Sequence, residues 1–323
     1  MKIIAVIEGG YSSEKEVSIK SAKTVFNNLD RIKYKPTMVL IDENEWTAYD
    51  EQGRYKIDKH DFSFIKNGKK ISFDFAFIVI HGTPGEDGTL QGYFDLIGLK
   101  YSTPSQLATT LTFNKFYCNK FLQNFDIPVA DSILIQKGES YNIKDICNQL
   151  KLPCFVKPTD GGSSFGITKV VDETEFDDAI SLAFKHGTQV IIESFIQGRE
   201  LSNGVYLGKD GIKVLPITEI ISYNDFFDYE AKYNGESDEI TPANISIETK
   251  QLIEKLTYSI FNLLGMSGIA RADYILTKEN KPCLIEINTV PGMSDASIIP
   301  QMIEAEGIKL IDVLSGVVER NLR

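Results

Sequence analysis

The residues best equipped for chemistry lie between Gly268 and Asn288, where two strand-like runs, Ile269 to Leu276 and Cys283 to Asn288, flank Glu279-Asn280. Such a turn predicts an antiparallel hairpin. With the hairpin centred there, Asp273 falls opposite Glu286 and Arg271 opposite Asn288, and the two-residue period of a strand sets all four on one face. Directly opposed Cβ atoms lie ~4.5–5.5 Å apart, so facing carboxylates repel unless one takes a proton or a cation lies between them. Oxygen ligands with an amide neighbour suit Mg²⁺, which keeps several waters and is commonly shared with substrate phosphates. Arg271 could then contact a phosphate or a developing oxyanion. The plainer alternative is that Arg271 neutralises both acids in a buried ion network. A one-residue slip of register would turn one strand's side chains away and remove the argument.

A second group is Lys157-Pro158-Thr159-Asp160-Gly161-Gly162-Ser163-Ser164-Phe165-Gly166. Its glycines let backbone N–H groups approach phosphate oxygens and its serines add hydroxyl donors, although it lacks the GK[ST] ending of a Walker A loop and also fits a flexible hairpin turn. A lysine at the end of the preceding strand favours phosphate contact. The third group, Glu8-Gly9-Gly10-Tyr11-Ser12-Ser13-Glu14, predicts a helix N-cap at Ser12 or Ser13 with Glu14 in the first turn. Glu14 there either compensates the helix dipole or holds an ammonium group. His81 either orders its loop or contacts a ligand.

These groups need elements to position them. Lys2 to Ile7 reads as a strand ending at Gly9-Gly10, followed by a helix marked by Ala22, Val25, Phe26 and Leu29. Phe73 to Ile80 reads as a buried strand running into the Gly- and Pro-rich loop His81 to Gly88, and ligands bind open α/β sheets at such strand ends. Asp42 to Lys70 reads as an insertion of hairpins carrying Trp46, with no function assigned. After Pro104, helices are expected at Asn114 to Phe125, Ile143 to Leu150 and around Phe176, Ala179, Ile180 and Ala183. Strands are expected at Val129 to Ile135, Cys154 to Lys157, Ile167 to Val171, Leu201 to Leu207 and Lys213 to Ile221. Ile253, Leu256, Ile260 and Leu264 mark a further amphipathic helix. The polar stretch Asn224 to Asn244 is either a solvated loop or a lid.

At 323 residues the chain suits two or three domains, and 42% hydrophobic with 24% charged residues fits an ordinary globular protein. The formal charge of -11 would repel a phosphate backbone at long range, so nucleic acid is not an expected partner. The four cysteines form no CxxC spacing, no apolar run approaches ~18 residues, and the opening run Ile3 to Ile7 is too short for a signal segment. The expected location is the cytoplasm, away from membranes.

Six collinear segments resemble the D-alanine:D-alanine ligase family of the ATP-grasp superfamily: GGYSSEKEVS from Gly9, HGTPGEDGTLQG from His81, KPTDGGSSFG from Lys157, YEAKY from Tyr229, GIARAD from Gly268 and EINTVPGMSDAS from Glu286. The resemblance implies an α/β fold: an N-terminal open, Rossmann-like α/β domain (1–104), then a two-subdomain ATP-grasp fold, its central part (105–197) carrying the glycine-serine loop and its C-terminal part (198–323) the metal site and lid. It implies that ATP phosphorylates one D-alanine before a second D-alanine's amine attacks, making the dipeptide for peptidoglycan, cell-wall biogenesis and cell shape. Alternatives are D-alanine:D-lactate or D-alanine:D-serine ligation, or another carboxylate-amine ligase.

By the same resemblance Lys115, Lys157, Glu193, Glu200 and Lys232 would contact ATP, with Gly162, Ser163 and Ser164 over its phosphates. Asp273, Glu286 and Asn288 would bind magnesium or manganese, two ions in all. Glu14 would hold the first substrate's ammonium and join Ser163 and Tyr233 in a hydrogen-bonded set closing the lid. Arg271 and the Gly292 N–H would stabilise the tetrahedral oxyanion, and His81 and Ser297 would lie near the second substrate. A homodimer is expected. Ser294 stands where the family commonly has threonine, which bears on substrate selection.

Overall fold

The computed structural model describes residues 1–161, 165–222 and 237–322, with Ser237 described in its backbone alone. The first sheet is built on β1 (Lys2–Gly9), whose Ile4, Ala5, Val6 and Ile7 are all fully buried. A run apolar on both faces belongs in the middle of a covered sheet. β1 pairs in parallel with β2 (Tyr34–Ile41) on one side and β7 (Phe75–Ile78) on the other. β3 (Trp46–Asp50) and β4 (Gly53–Lys56) extend the β2 edge as antiparallel strands, and β5 (Phe64–Lys66) pairs β6 (Lys69–Ile71) as a separate hairpin. Because the chain leaves β1 toward β2 and returns on its other side as β7, the sheet has a switch point at the carboxyl ends of β1 and β7.

Helix α1 (Lys15–Asn28) follows that switch point and buries Ser18, Ser21, Ala22 and Val25. Its N-cap is Glu14, with no side-chain cap, and neither Ser12 nor Ser13 fills the role expected of them. The Ser12 hydroxyl instead accepts the Glu14 N–H at 3.2 Å and donates to the His81 carbonyl at 2.7 Å, so it ties the helix entry to the β7 loop. α2 (Thr89–Ile97) and α3 (Gln106–Phe113) complete this part.

The second sheet has the order β10-β9-β11-β8, made from β8 (Ser132–Gln136), β9 (Cys154–Pro158), β10 (Thr168–Val170) and β11 (Gln189–Ser194), all antiparallel. α4 (Lys115–Gln123), α5 (Ile143–Leu150) and α6 (Phe176–Ala183) accompany it; Ile146, Leu150, Phe176 and Ile180 pack on Val156, Val170 and Ile192. The strand expected from Val129 starts at Ser132 because Pro128 and Val129 are drawn to the third sheet, where Leu284 N–H donates to the Pro128 carbonyl at 2.8 Å.

The third sheet, β14-β13-β12-β15-β16, joins β12 (Gly198–Gly208), β13 (Gly211–Ser222), β14 (Ser237–Ile240), β15 (Ile269–Thr277) and β16 (Pro282–Asn288). One face is covered by α7 (Ile247–Leu263), whose Ile253, Ile260 and Phe261 meet Leu201, Ala272 and Tyr274. α8 (Ile298–Ala305) and α9 (Leu310–Asn321) pack between this part and the first sheet. Ile299, Met302, Leu314 and Val317 share one apolar cluster with Ile4, Val6, Val25 and Phe77.

Candidate active site

The β15–β16 register pairs Arg271 with Asn288 and Asp273 with Glu286. It arises differently from the simple count. The turn is centred on Glu279, not between Glu279 and Asn280: Thr277 and Lys281 close it at 3.0 Å, with Asn280 in the left-handed region at φ 57°. That register alone would set Ile285 opposite Asp273. A β-bulge at Ile285, where Tyr274 pairs Leu284 and Asp273 pairs Glu286, restores the offset and brings Glu286 to the face of Asp273.

On that face the Arg271 guanidinium grips Asp273 through Nε (2.9 Å) and Nη2 (2.7 Å), and the Ser202 hydroxyl donates to Asp273 Oδ1 at 2.5 Å from the next strand. Burial pulls the Arg271 pKa down, but Asp273, then Glu286 and Glu86, hold it above its ordinary value. Lys115 Nζ lies 3.6 Å from Glu286. Of the ion network offered as the plainer alternative, the Arg271–Asp273 half is present, while Glu286 pairs with Lys115.

Lys115, Arg271, Asp273 and Glu286 line a cavity of about 480 Å³ between the second and third sheets, together with Lys157, Glu193 and Glu200. Lys115 opens α4 beside its cap Asn114, and its ammonium donates to the Gly161 carbonyl at 2.9 Å. Lys157 and Glu193, on adjacent strands β9 and β11, meet at 2.5 Å with side chains only 8% exposed each, and Asn119 donates to the same carboxylate at 2.9 Å. The cavity also has apolar lining, Phe155, Phe195, Ile196 and Leu284, with the two phenylalanine rings 5.9 Å apart. A cavity lined by both apolar side chains and lysines suits a planar base joined to phosphates. The apolar residues were not anticipated, because they come from three elements and share no periodicity.

The switch point of the first sheet abuts the end of β16. Glu14 lies beside Gly82, where a Cβ would come within 3.9 Å of its carboxylate. His81 is 4% exposed, and burial lowers its pKa although Glu14 opposes the shift. Glu86, inside the His81 loop but not singled out from sequence, accepts the Gly82 N–H at 2.6 Å and the Val290 N–H at 3.3 Å. Its pKa is pushed up to about 8 by burial and then by Glu14. Its sequence signal was an acid inside a loop of turn residues. Gly292 has no room for a side chain, since a Cβ would sit 2.8 Å from Ser297 Oγ. Ser297 caps α8 without a side-chain cap bond and instead shares a 2.8 Å hydrogen bond with Ser294.

For a metal, the described residues offer Asp273, Glu286 and Asn288, the last accepting the Val290 N–H at 3.1 Å through its amide oxygen. No cluster of three or more His, Cys, Asp or Glu suited to a metal occurs among the described residues. Two carboxylates and an amide fit a hard cation that completes its shell with water and phosphate oxygens. Gly162, Ser163, Ser164, Lys232 and Tyr233, and most of the Asn224 to Asn244 stretch, lie outside the described residues.

Two family models match the chain, the D-ala D-ala ligase N-terminus over residues 3–104 and the D-ala D-ala ligase C-terminus over 121–319. The chain belongs to the D-alanine–D-alanine ligase family. A D-alanine–D-alanine ligase of Phocaeicola vulgatus is 46% identical over 319 residues, 98% of each chain. Among solved structures, the VanG D-Ala:D-Ser ligase of Enterococcus faecalis superposes with a TM-score of 0.89 at 34% identity, covering 98% of each chain. The D-alanine–D-alanine ligase of Bacillus anthracis complexed with ATP gives a TM-score of 0.81 at 30% identity, covering 100% of this chain and 98% of that one. The family's ATP-grasp fold is the α/β architecture described above.

Proposed function

We propose that this chain joins two D-alanines into D-alanyl-D-alanine with conversion of ATP to ADP and phosphate, supplying a precursor of peptidoglycan. The observation that carries the reading is one cavity lined by apolar side chains, two lysines and the Asp273–Glu286 pair. Lys115 and Lys157 hold phosphate oxygens, and Glu193 and Glu200 meet donors of the nucleoside. The first D-alanine pairs its ammonium with Glu14, and its carboxylate oxygen attacks the γ-phosphorus as the bond to the bridging oxygen breaks and ADP leaves. The neutral amine of the second D-alanine then adds to the acyl carbon. Arg271 and the Gly292 N–H stabilise the oxyanion, phosphate departs with the bonding pair, and the new amide nitrogen loses its proton. His81 and Ser297 border the second substrate. Magnesium or manganese, one ion or two, would supply charge neutralisation at the phosphates when held by Asp273, Glu286 and Asn288.

The three sheets support a division into units at 1–104, 105–197 and 198–323. We assign the protein to the cytoplasm as a homodimer; no described helix is long and apolar enough to cross a membrane. D-Serine is a second candidate for the attacking amine, favoured by the 34% identity with a D-Ala:D-Ser ligase. The test is ADP release and product analysis with ATP, magnesium and a panel of D-alanine, D-serine and D-lactate. D-Alanine-dependent ADP release with dipeptide formation is expected; ATP hydrolysis indifferent to D-alanine would overturn the assignment.

A further inference from the structure

We propose that Ser21, on the buried face of α1, is a positioning residue that joins the Met293 N–H to the His81 imidazole and so aims the Gly292 N–H. The proposal rests on the reading of Gly292 as an oxyanion donor. The segment Thr289 to Met293 leaves β16 and is held from the first sheet at both ends. Val290 N–H donates to Glu86 at 3.3 Å. Met293 N–H donates to Ser21 Oγ at 3.0 Å. Pro291 has no N–H. The Gly292 N–H, between the two fixed points, donates to no atom among the described residues. It is therefore available to a ligand, and its direction follows from what fixes Val290 and Met293.

Ser21 is fully buried, and its oxygen already accepts from Met293. Its own proton is then directed at His81 Nε2, 3.5 Å away. An accepting Nε2 requires a neutral ring with its proton on Nδ1. Burial, which disfavours the imidazolium, agrees with a neutral ring. Ser21 thus links the segment to His81, and the histidine tautomer is fixed by the serine.

The experiment has two readouts on the full-length enzyme. Ser21→Ala is expected to lower kcat about 10- to 100-fold while KM for ATP stays within about twofold, because a buried donor loses its acceptor beside the oxyanion site and not beside the nucleotide. Ser21→Cys, which keeps the volume but accepts weakly, should fall between. Independently, ¹⁵N spectra of the imidazoles resolve His60, His81 and His186, the chain's three histidines. The wild type should show His81 protonated on Nδ1, and Ser21→Ala should move its Nε2 signal downfield while the other two stay put. An Nε2–H tautomer in the wild type, an unmoved Nε2 signal, or unchanged kcat would overturn the proposal. A wild type lacking D-alanine-dependent ADP release would overturn the ligase reading instead, and the tautomer would still decide the Ser21 contact.

Discussion

The Lys157–Glu193 and Arg271–Asp273 pairs line the same cavity, yet their surroundings balance charge differently. Lys157 and Glu193 are one cation and one anion, both buried, with Asn119 closing the carboxylate. Arg271 and Lys115 instead answer Asp273 and Glu286, with Glu86 and Glu14 close behind. Below a pH of about 8 Glu86 keeps its proton, so three carboxylates, Asp273, Glu286 and Glu14, stand against two cations and leave an acidic excess of one where β16 meets the first sheet. A balanced buried pair stiffens the wall it belongs to, whereas an excess of one sign attracts ligands of the other, which is the basis for the ammonium and divalent-cation roles proposed above.

The largest expected effect tests the acidic side. Glu286→Gln should lower kcat by roughly 10³-fold, the scale of losing one charge-stabilising contact, while thermal melting changes by only about 3 °C. Near-normal turnover would remove Glu286 from the metal site. On the balanced side the damage should fall on the fold: Lys157→Met strands a buried carboxylate and should cost about 3–5 kcal/mol of stability in denaturant titration. Combining it with Glu193→Leu should recover most of that stability without recovering nucleotide binding; if the double variant is no more stable than the single one, the pair is not the wall element described here.

Gly292→Ala should have a smaller consequence, about 10- to 100-fold in kcat, since its Cβ must displace Ser297 Oγ from 2.8 Å. Unaltered kinetics would mean that the Gly292–Ser297 contact does not bear on turnover. The mildest effect concerns Glu86. Its folded-state pKa of about 8 lies above the ordinary 4.5, so the native state binds the extra proton between those values. The stability it contributes is present below pH ~4.5 and is lost as pH rises toward ~8. Glu86→Gln should flatten melting temperature against pH across that window; an unchanged slope would assign the dependence to other groups.

How far the site could be read in advance depended on how local each feature was. The pairing of Asp273 with Glu286 was reached through two omissions that offset each other, a turn centred half a residue earlier, which shifts the register by one, and a bulge at Ile285. Bulges leave little trace in a pattern of apolar and polar residues, so the agreement owed something to cancellation. The N-cap was misassigned because Ser12 bonds to His81, 69 residues away. β2, β11, β14, α2, α3, α8 and α9 were not marked in advance, β14 falling in the stretch read as a loop or lid. The α8 spacing of Ile298, Ile299, Met302 and Ile303 was nevertheless a helical pattern visible in the sequence. The apolar lining could not be read at all, since Phe155, Phe195 and Leu284 converge only once two sheets face each other.

The apolar cluster shared by β1, α1, α8 and α9 joins the first and last stretches of the chain. On a ribosome adding roughly 5–20 residues per second, the opening sheet must wait tens of seconds before its covering helices emerge. Through that interval Ile4, Val6, Val25 and Phe77 present a sticky surface to the cell, so nascent-chain chaperones have their natural point of attachment there, and a ribosome stalled before α8 would release a fragment prone to aggregate.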